Sequence, residues 1–283
     1  LALCFFATTS MAPLAQERAG NATPDSKPQA IKPSDGLRHA SGELVAPVYE
    51  GWYRDEAGTM MLSFGYFNRN FSQELDVPIG PDNRIDPGPA DQGQPTHFIP
   101  RRQSGAFAVR VSKEVERRLV AEKKTVSWTL RANEQTVTIP ANIGPTYRID
   151  ALREPTVGNT PPVLRFEGAP VSGTGPLGVT TDIKAVAGTP VTVRFSVTDD
   201  RRVPPLKRDI GVTLTWVRYR GAGAVTITDA TKSVDGNGDA TVTATFAEPG
   251  EYVLRVEASD TESHDFHCCW SNGFVRATVS GQR

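Results

Sequence analysis

Apolar residues recur at every second position through much of this chain from Val45 onward, which is the period of a strand buried on one face. In "TMMLSFGYF" (59–67) the alternation sets Met60, Leu62, Phe64 and Tyr66 on one side, and in "GAFAVRV" (105–111) it sets Phe107, Val109 and Val111 together. "KTVSWTLRANEQTVTIP" (124–140) aligns Val126, Trp128 and Leu130, turns at Asn133 and returns through Val137 and Ile139, which predicts a hairpin. "SKEVERRLVAEK" (112–123) has a weak helical pattern, enough for one or two turns. Between the early and late strands, 74–102 carries Pro too often for central strands and reads as a long loop, either functional or mobile.

The alternation is cleaner in the second half. "VTVRFSV" (191–197), "VTLTW" (212–216), "ATVTATF" (240–246), "YVLRVEA" (252–258) and "FVRATV" (274–279) repeat it at the spacing of a β-sandwich, with Trp216 facing inward. The expected fold is all-β: one β-sandwich domain over 45–150, a Pro/Gly-rich linker over 151–178 with room for one strand, and an immunoglobulin-like sandwich over 179–283. Gly at 25 and Pro at 22 of the 283 residues suit short strands joined by turns.

Ahead of Val45 the pattern is absent. "LALCFFATTSMAPLAQ" is apolar and then small, as in the core and cleavage zone of a secretory signal peptide, read here as 1–15 and truncated at its start. Residues 16–44 are polar and Pro-rich and cannot bury enough surface to offset their ordering entropy, so they read as a disordered leader. No later stretch reaches the roughly 20 apolar residues of a membrane span. Lys+Arg at 31 against Asp+Glu at 32 gives a net charge of −1, and with it no electrostatic case for nucleic acid or an anionic membrane. The mature chain is expected to be exported, periplasmic or extracellular.

The segments "AGTPVTVRFSVTDD", "VTLTW", "DGNGDATVTATF" and "EPGEYVLRVEASD" resemble the bacterial immunoglobulin-like domains of the invasin type and the PKD-like repeats. That resemblance covers about a hundred residues at the carboxyl end and implies an extracellular spacer or adhesion architecture without catalytic residues. The first domain, with "EGWY" and "LSFGYFNRN", is similar to exported bacterial proteins of unassigned function and carries over no site residues.

Chemistry concentrates in "HDFHCCW" (264–270). Immunoglobulin strand order would make 199–210, 229–238 and 260–272 loops at one end of the second sandwich, beside the domain junction. His264, Asp265, His267 and Trp270 are therefore candidate binding residues on a loop tip. Cys268 and Cys269 are the only cysteines once a signal is removed, so an oxidising compartment would pair them with each other or with another molecule; otherwise they are small apolar residues packed under Trp270. A metal held by His264 and His267 with the cysteines is disfavoured, because consecutive ligands cannot easily surround one tetrahedral centre. Asp235, Asn237 and Asp239 in "DGNGD" occupy alternate positions like those of a calcium loop, but Ala240 and Phe246 stand where that loop needs Gly and Glu, so a turn leading into a strand is the simpler reading.

In the first domain "GYFNRN" with Asp76, Asp82, Asp86, Asp91, His97, Arg101 and Arg102 could line a polar pocket, whose carboxylates would serve acid–base chemistry only if two of them faced each other. No nucleophile elbow, phosphate loop or helical zinc-protease motif occurs, and no cofactor is expected. The pattern favours a non-catalytic envelope protein that binds an envelope protein or a glycan through sandwich loops. The competing class is a carbohydrate-active or other hydrolytic module with its site in 65–102.

Overall fold

A computed structural model describes residues 39–122, 124–202, 211–260 and 268–282. The stretch 1–15 read as a signal and most of the 16–44 stretch read as a leader lie outside the described residues, as do His264, Asp265 and His267. The strands are β1 (Val45–Arg54), β2 (Met60–Asn68), β3 (Leu75–Asp76), β4 (Asn83–Asp86), β5 (His97–Phe98), β6 (Arg101–Val111), β7 (Val126–Ala132) and β8 (Gln135–Ala141), with helix α1 (Lys113–Glu122) between β6 and β7. One antiparallel sheet runs β1-β2-β6, a second runs β4-β7-β8, and β3 pairs β5. Their shared core holds Leu62, Phe64, Ile85, Phe98, Phe107, Trp128 and Leu130. Phe64 stacks on Phe107 at 5.5 Å between ring centres, and Trp128 meets Phe107 edge-on at 5.1 Å. The hairpin forms at the expected place. Asn133 and Glu134 both take positive φ, 47° and 62°, the geometry a two-residue turn needs to match the twist of its strands.

Alternation alone misjudges β2, which is buried on both faces. Met61 and Ser63 are as covered as Leu62 and Phe64. Their side is closed by a small second cluster of Tyr53, Met61, Ala108, Ile149 and Ala151, contributed partly by the chain leaving the first sandwich. That chain is tied down by Ile149 N donating to Trp52 O at 2.9 Å and by Trp52 Nε1 donating to Gly144 O at 2.9 Å. The helix is also longer than its weak pattern suggested, because Leu119 is buried and the Ser112 side chain accepts from Val115 N at its start.

The Pro-rich stretch 74–102 is ordered by side-chain amides, which supply the hydrogen bonds that Pro and irregular backbone cannot. Asn83 Nδ2 donates to Val77 O and Pro95 O, while its Oδ1 accepts from Trp128 Nε1. Gln92 Nε2 reaches Ile85 O, Pro87 O and Pro89 O, and Gln94 Nε2 reaches Ala90 O. Asn68 binds Gln73 O and Phe98 O in the same way.

The second sandwich comprises β9 (Val163–Phe166), β10 (Val179–Val186), β11 (Val191–Thr198), β12 (Val212–Arg220), β13 (Val225–Thr228), β14 (Thr231–Val234), β15 (Asn237–Phe246), β16 (Gly250–Ser259) and β17 (Trp270–Ser280). Its sheets run β10-β17-β16-β12-β14 and β13-β15-β11-β9, with β10 parallel to β17 and the remaining pairs antiparallel. Their inner faces enclose Leu164, Phe166, Phe195, Leu214, Trp216, Val242, Phe246, Leu254 and Val275. This is the expected sandwich with three differences. The stretch 229–238, read as a loop, contains β14 and the start of β15. The last three residues of 260–272, Trp270 to Asn272, already belong to β17. The passage read as linker supplies β9, whose Leu164 and Phe166 are core residues, so a division at Val179 leaves part of the second core on the far side.

Residues 38–283 form one compact unit, and among the described residues no helix is long and apolar enough to cross a membrane. Phe166→Ala should lower unfolding free energy by about 3–5 kcal/mol, the usual cost of removing a buried aromatic ring. Chemical denaturation would read this directly; a loss below about 1 kcal/mol would mean that β9 is not an integral strand of the second core.

Candidate ligand-binding cleft

The outer face of a sandwich sheet is ordinarily polar, yet here the outward positions of β12, β16 and β17 include Tyr219, Val253, Trp270, Asn272 and Phe274. They are covered by the first sandwich, with Tyr219 counted in its core and Val253 and Phe274 packed against it. A register shift between Arg218 and Arg220 accompanies this turn of β12 toward the first domain, where Tyr219 meets Phe274 at 5.3 Å. Tyr219 Oη donates to Gly93 O at 2.6 Å. Arg220 grips both oxygens of Asp91 at 2.9 and 2.8 Å and also donates to Gln94 O. Its hydrogen bonds hold the Asp91 carboxyl below the usual carboxylate range.

The two sandwiches also meet backbone to side chain at Gly105. Its carbonyl accepts from Trp270 Nε1 at 3.3 Å and Asn272 Nδ2 at 2.8 Å, and its N–H donates to Glu50 Oε1 at 3.2 Å. Arg102 fixes that carboxylate with two contacts of 2.6 and 2.7 Å. Asn272 also donates to Pro176 O and accepts from the buried Arg255, so one side chain links both sandwiches to the passage between them. Gly105 sits at φ 49°, and a Cβ there would lie 2.0 Å from the Trp270 ring, so neither conformation nor space permits a side chain.

A second junction contact is built on His97, which is 4% exposed. Its Nδ1 lies 2.7 Å from Arg218 Nη2 and 2.9 Å from Asp76 Oδ1, and its Nε2 lies 3.1 Å from Glu74 Oε2. Burial, then the Arg218 charge, push the imidazole pKa down against the opposing pull of Asp76 and Glu74. With the proton on Nε2, the neutral ring can accept from Arg218 at Nδ1 and donate to Glu74 from Nε2; a proton on Nδ1 would face the Arg218 donor as well as the Asp76 Oδ1 acceptor.

Beside these contacts the sandwiches leave a cleft of about 370 Å³. Its apolar lining comes from Phe107, Ala108, Leu177, Tyr219, Val253 and Phe274, and its rim carries Arg110, Arg220 and Arg276. Among the described residues no carboxylate lines it, and no nucleophile stands next to a base within it.

The residues singled out from sequence are dispersed. Cys268 and Cys269 are joined to each other and buried. Trp270 is not on a loop tip: it begins β17 with 1% exposure, because its ring fills the space over Gly105. Beneath the loop base, Asn159 Nδ2 donates to Asp260 Oδ2 at 2.8 Å, and the Asp260 carboxyl is pushed up to about 7, chiefly by burial and further by Asp199 and Asp200. Asp235 lies in a turn, while Asn237 and Asp239 are exposed on the extended strand β15. Among the described residues no three His, Cys, Asp or Glu side chains come together as a metal-binding group.

The polar residues of 65–102 form no common pocket. Asp76 joins His97 and Arg218, Asp82 lies near Arg131, Asp86 pairs Arg84, Asp91 pairs Arg220, Arg102 pairs Glu50 and Arg101 lies over the Phe71 ring. The residues that build the junction, Gly105, Arg218, Tyr219, Arg220 and Asn272, escaped the sequence reading. The available signal was the apolar Tyr219, Val253 and Phe274 on a face expected to be polar.

No protein-family model matches the chain, and no curated protein does. Among solved structures the chain is similar to domains 4 and 5 of the S-layer protein SbsC, at 12% identity over 55% of this chain and 64% of that one, with a TM-score of 0.26. It is similar to the D00–D0 domain of intimin at 12% identity, 83% and 100% coverage and a TM-score of 0.26. For the adhesin InvE of Yersinia pseudotuberculosis the values are 12%, 83%, 58% and 0.25. Likeness of this degree carries no assignment of function.

Gly105→Ala should destabilise the chain by about 3 kcal/mol, combining a forced positive φ with overpacking against Trp270; thermal unfolding of the purified variant would measure it. A folded-state pKa below the unfolded 6.5 means that His97 contributes stability above pH 6.5, lost as pH falls through that value toward the folded pKa. The raised Asp260 carboxyl contributes the opposite slope equally to parent and variant, so between pH 8 and 5 the denaturation midpoint of the parent should decline relative to that of His97→Gln.

Proposed function

We propose that this chain is an exported, non-catalytic protein of the bacterial cell envelope that works by binding an envelope protein or a glycan, and that the cleft at the junction of its sandwiches takes part in that binding. The observation that carries this reading is the cleft itself: aromatic and aliphatic walls with a few charged groups at the rim suit a ligand site. Among the described residues no paired carboxylates and no nucleophile and base converge there. Export is supported by the signal-like residues 1–15 and fits a closed Cys268–Cys269 pair, which persists in oxidising compartments. The two-domain division, with each sandwich a separate module, belongs to the same proposal.

The hydrolytic alternative requires two carboxylates facing each other within 65–102, whereas each aspartate considered there contacts a basic side chain. Its loop-tip counterpart, binding through His264, Asp265 and His267, lies outside the described residues. The test uses the mature chain as bait on its own envelope fraction, beside the Thr180→Trp variant, which places a large ring at an exposed cleft-lining position of β10. A partner retained by the parent and lost by the variant is the expected result. Equal retention by both, or turnover of chromogenic glycosides by the parent, would overturn the reading.

A further inference from the structure

The cleft's rim is chemically one-sided. Among the described residues Arg110, Arg220 and Arg276 line it, and no Asp or Glu side chain does. The three guanidinium groups are not equivalent. Arg220 is a wall: its Nε and both terminal nitrogens are engaged by Asp91 and Gln94 O, and its side chain is only 21% exposed. Arg276 and Arg110 are different. Arg276 spends Nε and Nη2 on Asp182, at 2.7 and 2.8 Å, and keeps Nη1 for another acceptor. Arg110 makes a single ion pair, Nη1 to Asp55 Oδ2 at 3.4 Å, and keeps Nε and Nη2. Both arginines are more than half exposed, as is Asp182, while Asp55 is only 19% exposed; the nitrogens left over, Nη1 of Arg276 and Nε and Nη2 of Arg110, can donate to an incoming anion with both ion pairs kept.

Below the rim the surface is apolar, formed by Phe107, Ala108, Leu177, Tyr219, Val253 and Phe274. The buried Tyr219 ring meets Phe274 edge to face and holds it in place, and the half-buried Phe274 ring keeps surface that a further flat ring can cover. A volume of about 370 Å³ accommodates one aromatic amino-acid-sized group with its carboxylate and is too small for a folded surface or a long oligosaccharide.

On the reading that the cleft is the binding site, we infer that its ligand is a carboxylate carried on a compact aromatic or branched apolar body, with the carboxylate held by Arg276 and Arg110 and the body lying on the half-buried Val253 and Phe274. Such a group has two sources, a free small molecule or the last residue of a partner polypeptide. Both present the same chemistry to the cleft, and guanidinium is suited to it because its planar fork matches both oxygens of a carboxylate.

The experiment uses the whole chain, isotope-labelled, titrated with N-acetylphenylalanine, with N-acetylphenylalaninamide, and with a hexapeptide ending in phenylalanine as free acid or amide. Amide shifts at Thr180, Tyr219 and Phe274 are followed by NMR. The acid is expected to bind at least tenfold more tightly than the amide. Arg276→Gln and Arg110→Gln should each reduce that preference, with amide binding unchanged, and Thr180→Trp should abolish both. A free small molecule is the source if N-acetylphenylalanine binds and the peptide acid does not; a chain terminus is the source if the peptide acid binds more tightly. Equal binding of acid and amide, lost in Thr180→Trp, would overturn the ligand class and leave the cleft as a site. No shift at any cleft residue with any of the four compounds would overturn the inference, while the envelope capture above tests the cleft's role without reference to these compounds.

Discussion

The carbonyl of Gly105, shared between the indole of Trp270 and the amide of Asn272, sets how closely the first sandwich approaches the second. Both donors are buried, so each would forfeit about 1–3 kcal/mol if the approach were lost and no water replaced the carbonyl. Because Asn272 is also held by Arg255 and holds Pro176 O, the contact cannot slide without breaking bonds on three segments. Trp270 fills the space that a side chain at 105 would take, and glycine is the residue that leaves it open. The outer sheet face of the second sandwich is thereby converted from a solvated surface into an interior, which accounts for the buried Tyr219 and Arg255.

Around that anchor the junction is polar at its edges and apolar between them. His97 with Arg218, and Asp91 with Arg220, tie the stretch 74–102 to β12 at neighbouring positions. That stretch can serve as a docking surface because side-chain amides brace it: the buried Asn83 and Gln94 and the half-buried Gln92 bind carbonyls that the proline-interrupted backbone leaves without ladder partners. The cleft lies where this bracing ends. Gln92 and Gly93 line it together with Phe107, Ala108 and Arg110 of β6 and Phe274 and Arg276 of β17.

The cysteine pair lies near the same anchor, immediately before Trp270, and is covered as fully as the ring that follows. A ring closed between neighbours removes almost no loop entropy from the unfolded chain, so its bearing is on local geometry at the entry to β17 rather than on global stability. The dense chemistry of "HDFHCCW" is thus divided: its last three residues are interior, and the cleft is built from residues elsewhere.

The strands were legible in the sequence because period-two alternation is a local property, and one buried face is enough to impose it. That is why the hairpin at Asn133 and the inward placement of Trp216, Leu254 and Val275 could be read from spacing alone. Burial on a second face is not local. Met61 is covered by Ile149 and Ala151, far along the chain, and Tyr219, Val253 and Phe274 are covered by a different sandwich, so alternation describes only half of their surroundings. The strand β9 was obscured for a similar reason: four residues between prolines and glycines carry too short a pattern, and pairing with β11 is what makes Leu164 and Phe166 core residues. The order of the 74–102 stretch was hidden as well, since an asparagine or glutamine looks the same in sequence whether its amide faces water or satisfies buried carbonyls. Composition and periodicity determined an all-β chain with a signal-like start. The site depended on which outward faces meet, and that is decided only when distant strands bring Gly105 under Trp270.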